Sequence, residues 1–145
     1  MIRKMEDYIL MVNLKKFLED KKISPTIQRL KILNYIKGNE NHPTVDMIYR
    51  EISKEIPTLS KTTIYNTMNL LVKKGVVSEI CLGEGEVRYD INLNPHGHFR
   101  CTECGNIFDV EIESKLFEMK SINGNQILNT SIYFTGKCEE CLKSR

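Results

Sequence analysis

Apolar residues recur at helical spacing through the first half of the chain and alternate in short runs through the second, so the pattern alone divides the sequence. Ile9, Leu10, Val12, Leu14, Phe17 and Leu18 predict a helix over 9–21, with Lys15 and Lys16 beside its apolar stripe. Ser24-Pro25 reads as an N-cap followed by a proline in the first helical position, opening a helix that runs to 37 and stops at Gly38. In Asn41-His42-Pro43-Thr44 the proline takes His42 out of the helical region, and Thr44 caps a third helix whose buried stripe is Val45, Ile48, Tyr49 and Ile52. Ser60 caps a fourth, reaching 74 and ending at Gly75, with Ile64, Met68, Leu71 and Val72 on its apolar side. Two strands follow at 76–82 and 86–91 around Gly83-Glu84-Gly85, a hairpin signal.

After a hinge at 92–95 the pattern shortens. Residues 107–112 alternate like a strand, 114–119 allow a turn or two of helix, Asn123-Gly124 is a turn and 126–136 reads as strand. The fold class is therefore α+β. An N-terminal winged helix-turn-helix domain (1–92) precedes a small α/β domain (93–145), too short to bury much core unaided.

The fourth helix carries a second stripe, Lys61, Thr62, Tyr65, Asn66, Asn69 and Lys73, at i, i+3, i+4 spacing, with groups able to meet phosphates and base edges. That is the composition of a recognition helix, and Arg88 on the hairpin is a candidate backbone contact. Charge supports the assignment: net charge is only +2, but residues 1–77 hold 14 Lys or Arg against 8 Asp or Glu, and the remainder 7 against 11. A basic half joined to an acidic one points to a polyanionic partner for the first, a DNA duplex. No apolar run approaches the ~18 residues of a membrane span. Arg3, Lys4, Glu6 and Asp7 interrupt any signal-peptide core, so a cytoplasmic location with reduced thiols is expected.

Two metal-binding patterns overlap near the hinge. Cys101-x-x-Cys104 recurs as Cys138-x-x-Cys141, and four thiolates complete a closed tetrahedral zinc site. The 33 residues between the hooks make them the ends of a subdomain rather than of one finger. The fifth cysteine, Cys81, reads as a small strand residue. His96-x-His98 places two imidazoles on one face of a strand, with carboxylates Asp90 and Asp109 on neighbouring strands, a mixture that suits iron(II), manganese or zinc rather than copper(I).

Taken together, Gln28-Arg29, His42-Pro43-Thr44, Ser60-x-x-Thr63-Ile64-Tyr65-Asn66, Gly75-Val76-Val77, Arg88-Tyr89-Asp90 and His96-x-His98-x-x-Cys101-x-x-Cys104-Gly105 with Cys138-x-x-Cys141 resemble the Fur family of metal-dependent repressors, most nearly its peroxide-regulator branch. The resemblance spans nearly the whole chain. It implies a homodimer reading a palindromic operator, pairing of the C-terminal domains, structural zinc on the four cysteines, and a regulatory iron(II) or manganese(II) held by His42, Asp90, His96, His98 and Asp109. It further implies that iron-bound protein reacts with hydrogen peroxide and oxidises His42 or His96 to 2-oxo-histidine, releasing repression. Iron-sensing members tend to carry glutamate at the position of Asp109 and further histidines after the first hook, whereas His98 is the last histidine here. Control of iron, zinc or manganese uptake is the alternative. Five protein ligands leave little room for a substrate, so the chain is expected not to be an enzyme.

Overall fold

The computed structural model describes residues 1–39, 41–82 and 85–144. They form two compact units, Met1–Leu93 and Asn94–Arg145.

In the first unit, α1 (Ile2–Asp20), α2 (Ile27–Lys37), α3 (Val45–Ile52) and α4 (Lys61–Lys73) precede a hairpin of β1 (Ser78–Cys81) and β2 (Val87–Asp90). This is the winged-helix order. Helix α1 starts seven residues before its expected position because nothing in 2–8 breaks a helix, although Ile2, Met5 and Tyr8 remain exposed. Its end is fixed by Lys22 at φ +60°, where the amides of Lys22 and Ile23 bond to the carbonyls of Glu19 and Leu18 and Ile23 folds into the core. Gly75 (φ +69°) closes α4 the same way, through Gly75 N–H to Val72 and Val76 N–H to Leu71. The cap of α2 is Thr26, not Ser24: the Thr26 hydroxyl accepts the Arg29 amide at 3.3 Å, while the Ser24 carbonyl takes the Arg29 guanidinium at 2.9 Å. Thr44 and Ser60 cap α3 and α4 as expected, accepting the amides of Met47 and Thr63.

The core of this unit joins Leu14 and Leu18 of α1, Ile32, Leu33 and Ile36 of α2, Ile48 and Ile52 of α3, Ile64, Met68 and Leu71 of α4, and Tyr89 of the hairpin. Each fully buried aliphatic side chain contributes about 1.5–3 kcal/mol. Strand β2 is also tied to the entrance of α3 by the Tyr89 amide, which bonds to the Pro43 carbonyl at 3.2 Å. Two of the expected hairpin-turn residues, Gly83 and Glu84, lie outside the described residues.

The second unit has β3 (Gly97–Cys101), β4 (Ile107–Val110), α5 (Ser114–Glu118), a two-rung ladder of β5 (Ser121–Ile122) and β6 (Asn125–Gln126), β7 (Tyr133–Gly136) and α6 (Glu139–Lys143). Strand β3 is central, antiparallel to β4 and parallel to β7. Asn123 and Gly124, at φ +49° and +81°, turn β5 into β6. Of the strand expected over 126–136, only 133–136 joins the three-stranded sheet, and Leu128 is exposed.

Candidate metal centres and nucleic-acid interface

In the second unit the strand register assembles the histidine site. His98 pairs directly across from Asp109 in the β3–β4 ladder, which puts the two side chains on one face. His96, one residue before β3, turns towards the same carboxylate. The Nε2 atoms of His96 and His98 lie 3.1 Å and 3.5 Å from Asp109 Oδ1, and the two imidazole centroids are 4.5 Å apart. The Asn94 carbonyl lies 2.6 Å from His96 Nδ1; a hydrogen bond there leaves Nε2 as the donor atom towards a metal. Gly97, between the histidines, is packed so closely that a Cβ would meet Ile112 Cγ1 at 2.9 Å. Gly97→Ala is therefore expected to push β3 away from Ile112 and misplace both imidazoles, read as a loss of metal affinity at preserved zinc content.

In the first unit, His42 and Asp90 meet at 3.2 Å between Nε2 and Oδ2, both buried. His42 adopts φ +51°, a left-handed conformation rare outside glycine, rather than the extended one that a following proline favours. Such backbone positions cost of order 1–3 kcal/mol and persist where their surroundings fix them. Here the surroundings are visible: the Arg88 guanidinium donates to the Asn41 and His42 carbonyls at 3.3 Å and 3.4 Å, and the Pro43 carbonyl is held by β2. Arg88, the expected wing contact, does not face solvent. It is buried, paired with Glu86, and clamps the His42 turn. The other Asp90 oxygen accepts the Asn92 amide at 2.8 Å, which leaves Oδ2 aimed at His42.

The four hook cysteines converge. Cys101 pairs with Gly136 across β3–β7, which brings Cys138 alongside; all four Sγ atoms lie within 4.8 Å of one another, with Cys104 and Cys138 at 3.8 Å. A disulfide needs about 2.05 Å. Four sulfurs around zinc at about 2.3 Å stand about 3.8 Å apart, the separation of Cys104 and Cys138, so a small contraction of the cluster seats that ion. Backbone amides also point at sulfur, Cys138 N–H to Cys101 Sγ at 3.3 Å and Cys141 N–H to Cys138 Sγ at 3.5 Å. Amide donation from Cys104 and Cys138 lowers the Cys101 pKa to about 6, whereas the Cys138 sulfur and burial push Cys141 up to about 12. Crowded thiols do not shed their protons together without a cation among them. The fifth cysteine, Cys81, is exposed on β1.

On α4, Lys61, Thr62, Tyr65, Asn66, Asn69 and Lys73 are all exposed, as a groove-facing stripe requires. Lys61 is held by Asp46 at 2.9 Å and lies over the Tyr49 ring. Its pKa is raised by that hydrogen bond and charge, so it stays protonated. The sequence reading assigned no role to Thr26, Gln28, Arg29, Thr63 and Thr67, which line a polar cavity beside Asn66 of the stripe. Gln28-Arg29 was legible as a motif, but its closeness to α4 was not. No helix among the described residues is long and apolar enough to cross a membrane.

The ferric uptake regulator family model matches residues 20–135. The peroxide-responsive repressor PerR of Staphylococcus aureus is 34% identical over 122 residues, 80% of each chain. Among solved structures, the Campylobacter jejuni peroxide stress regulator is 34% identical, covering 88% of this chain and 96% of its own at TM-score 0.64. The Helicobacter pylori ferric uptake regulator, with three functional metal-binding sites, shares the fold at TM-score 0.72, 19% identity and 93% of each chain.

Proposed function

Because the chain belongs to the ferric uptake regulator family, a family of metal-responsive regulators, we propose that it is a homodimeric repressor of the peroxide-responsive kind, which holds duplex DNA only while a regulatory metal is bound. Residues 1–92 form its DNA-binding domain and residues 93–145 its dimerisation and metal-binding domain. A cytoplasmic location suits both the DNA target and the reduced thiols.

Zinc takes Cys101, Cys104, Cys138 and Cys141. The regulatory ion, iron(II) or manganese(II), takes His42 and Asp90 from the first unit and His96, His98 and Asp109 from the second. Donor type supports the set: His96, His98 and Asp109 are the two imidazoles and one carboxylate that suit iron(II), and His42 with Asp90 would bring donors of the same kind to five. An ion held by both units fixes the angle at which α4 is presented. The single observation that carries this reading is the direct pairing of His98 with Asp109, with His96 turned onto the same oxygen.

Dimerisation follows from what the second unit leaves uncovered. Phe108, Leu116, Ile122, Leu128, Phe134 and Leu142 are exposed on a unit of some fifty residues, more apolar surface than a small lone domain sustains. A second copy burying them supplies the two-fold symmetry that a palindromic operator mirrors.

Iron(II), when bound, would supply the redox chemistry that activates hydrogen peroxide beside the imidazoles. In net balance peroxide would give one oxygen atom to the ring carbon between the nitrogens of His42 or His96 and leave as water, a two-electron oxidation to 2-oxo-histidine; that histidine would lose the lone pair it uses as a ligand and uncouple the two units. Mass spectrometry of iron-loaded protein after peroxide is expected to show one added oxygen on a peptide carrying His42 or His96, with loss of a mobility shift that manganese-loaded protein retains. A metal-uptake regulator would show the metal-dependent shift without the adduct.

Tyr65→Ala removes the largest side chain of the exposed stripe, which touches neither metal set. It is expected to weaken duplex binding about tenfold at unchanged manganese affinity, measured by fluorescence anisotropy and by metal titration. Equal binding by wild type and variant would remove Tyr65 from the interface.

A further inference from the structure

Lys61 occupies the first position of α4, where a helix presents partial positive charge and a cation is unfavourable; no acidic residue in the first turn of α4 offsets it. The compensation comes from α3. Asp46, exposed in the first turn of that helix, accepts from the Lys61 ammonium at 2.9 Å, and the centroid of the half-buried Tyr49 ring lies 5.4 Å from the same nitrogen. Asp46 and Tyr49 are three residues apart on one face of α3, so they hold the ammonium from two sides. The cavity on this flank of α4, about 340 Å³, is lined by Asp46, Glu79 and Glu86 beside Tyr65 and Asn69 of the exposed stripe, and its described lining holds no basic residue. A phosphate is disfavoured there. A lysine whose charge is already matched adds little to the counterion release that drives backbone binding, whereas its remaining N–H groups can still meet an acceptor on a base edge.

We infer that Asp46 is a specificity-determining residue: by holding Lys61 against Tyr49 it keeps that ammonium off the phosphate backbone and aims its remaining N–H groups at an acceptor on a major-groove base edge. The inference rests on the DNA-binding reading and deepens it. Asp46 acts through Lys61 and is a positioning residue, not a contact. The consequence is weaker binding to duplexes in general and stronger preference among them. An exposed ion pair adds little to folding stability, so its role is read in binding and not in melting. Asp46 and Tyr49 thereby acquire a function that the metal sites and the α4 stripe leave unassigned.

The test is a salt series, read by fluorescence anisotropy, on full-length, zinc- and manganese-loaded protein with two duplexes, one selected by the wild type and one unrelated. Asp46→Asn keeps the size of the side chain and removes its charge. It is expected to bind the unrelated duplex about tenfold more tightly, with the slope of log K against log salt steeper by about one, as Lys61 takes up a phosphate. The selected duplex loses a base contact as it gains a backbone one and is expected to change little, so the preference between the two falls about tenfold. Asp46→Glu is expected to restore the preference. Adding Lys61→Met to Asp46→Asn is expected to return the slope to that of the wild type and to leave the selected duplex about tenfold weaker than with the wild type. Melting temperatures report that each variant is folded. If folded Asp46→Asn weakens both duplexes equally or leaves the slope unchanged, Asp46 serves α3 alone, and the inference is overturned while the DNA-binding reading stands. A steeper slope that persists in the double variant would mean that the carboxylate acts by repulsion without Lys61, and likewise overturns it. A wild type that binds neither duplex sinks both.

Discussion

Cys101→Ser is expected to abolish zinc binding and unfold residues 94–144 while the first unit stays folded. The reason lies in what that unit buries. Among its described residues the buried hydrophobic side chains are Cys101, Ile107 and Cys138, so the thiol cluster is itself most of the core. Cys101 is fully buried, receives the Cys138 amide, and ends the strand on which His98 sits. Structural zinc contributes an apparent ~10–16 kcal/mol in small peptides, which exceeds the net stability of most domains, and a serine oxygen does not replace a thiolate. The first unit has an independent core built on α1 to α4. Metal analysis, circular dichroism and light scattering together check the result: zinc is lost, roughly the helical signal of α1 to α4 persists, and the dimer dissociates. Cys141→Ser, at a less buried position in α6, gives the same zinc loss by removing the fourth ligand. A Cys101→Ser protein that keeps one zinc per chain and melts with the wild type would refute the assignment of a structural ion to these cysteines.

The parts legible from sequence are those set by local chemistry. Thr44 and Ser60 were readable as caps because each stands just after a proline break and directly before an apolar stripe. At α2 two cap residues stand two apart, and the choice of Thr26 over Ser24 depends on where the Arg29 side chain goes, which is a tertiary fact. The apolar content of 126–136 reads as strand, yet only four residues pair with β3, because that pairing ends where the chain must deliver Cys138 to Cys101. Arg88 shows the same limit more sharply. A basic residue on a wing is expected to face solvent, but the strained His42 turn opposite supplies two carbonyls, and Arg88 is buried to meet them. At the metal centre, residue types gave the ligands; register gave the geometry. Period-two alternation places Asp109 on a strand face, but a slip of one residue would bring Phe108 or Val110 opposite His98 instead.

His98→Ala and Asp90→Ala, one in each unit, are expected to have the same effect: loss of the metal-dependent mobility shift with zinc content and melting intact. Partners that merely orient a metal ligand are worth about 10- to 100-fold in affinity, so removal of a ligand is expected to cost more than about 100-fold. With the ion gone nothing biases the two units towards one arrangement, and the allosteric gain, typically about 5- to 150-fold between sites, disappears from DNA binding. Asp90 also accepts the Asn92 amide, so Asp90→Asn is the better control: it keeps a group able to take that bond and removes only the charge. Sharing of one ion is tested by stoichiometry. Manganese titration is expected to give one regulatory ion per wild-type chain and a more than about 100-fold weaker one in either variant, because each variant removes a donor of the shared set. If His98→Ala still bound one ion at His42 and Asp90, or if either variant retained the manganese-dependent shift, the two half-sets would be separate and the coupling of metal to DNA through a shared ion would fail.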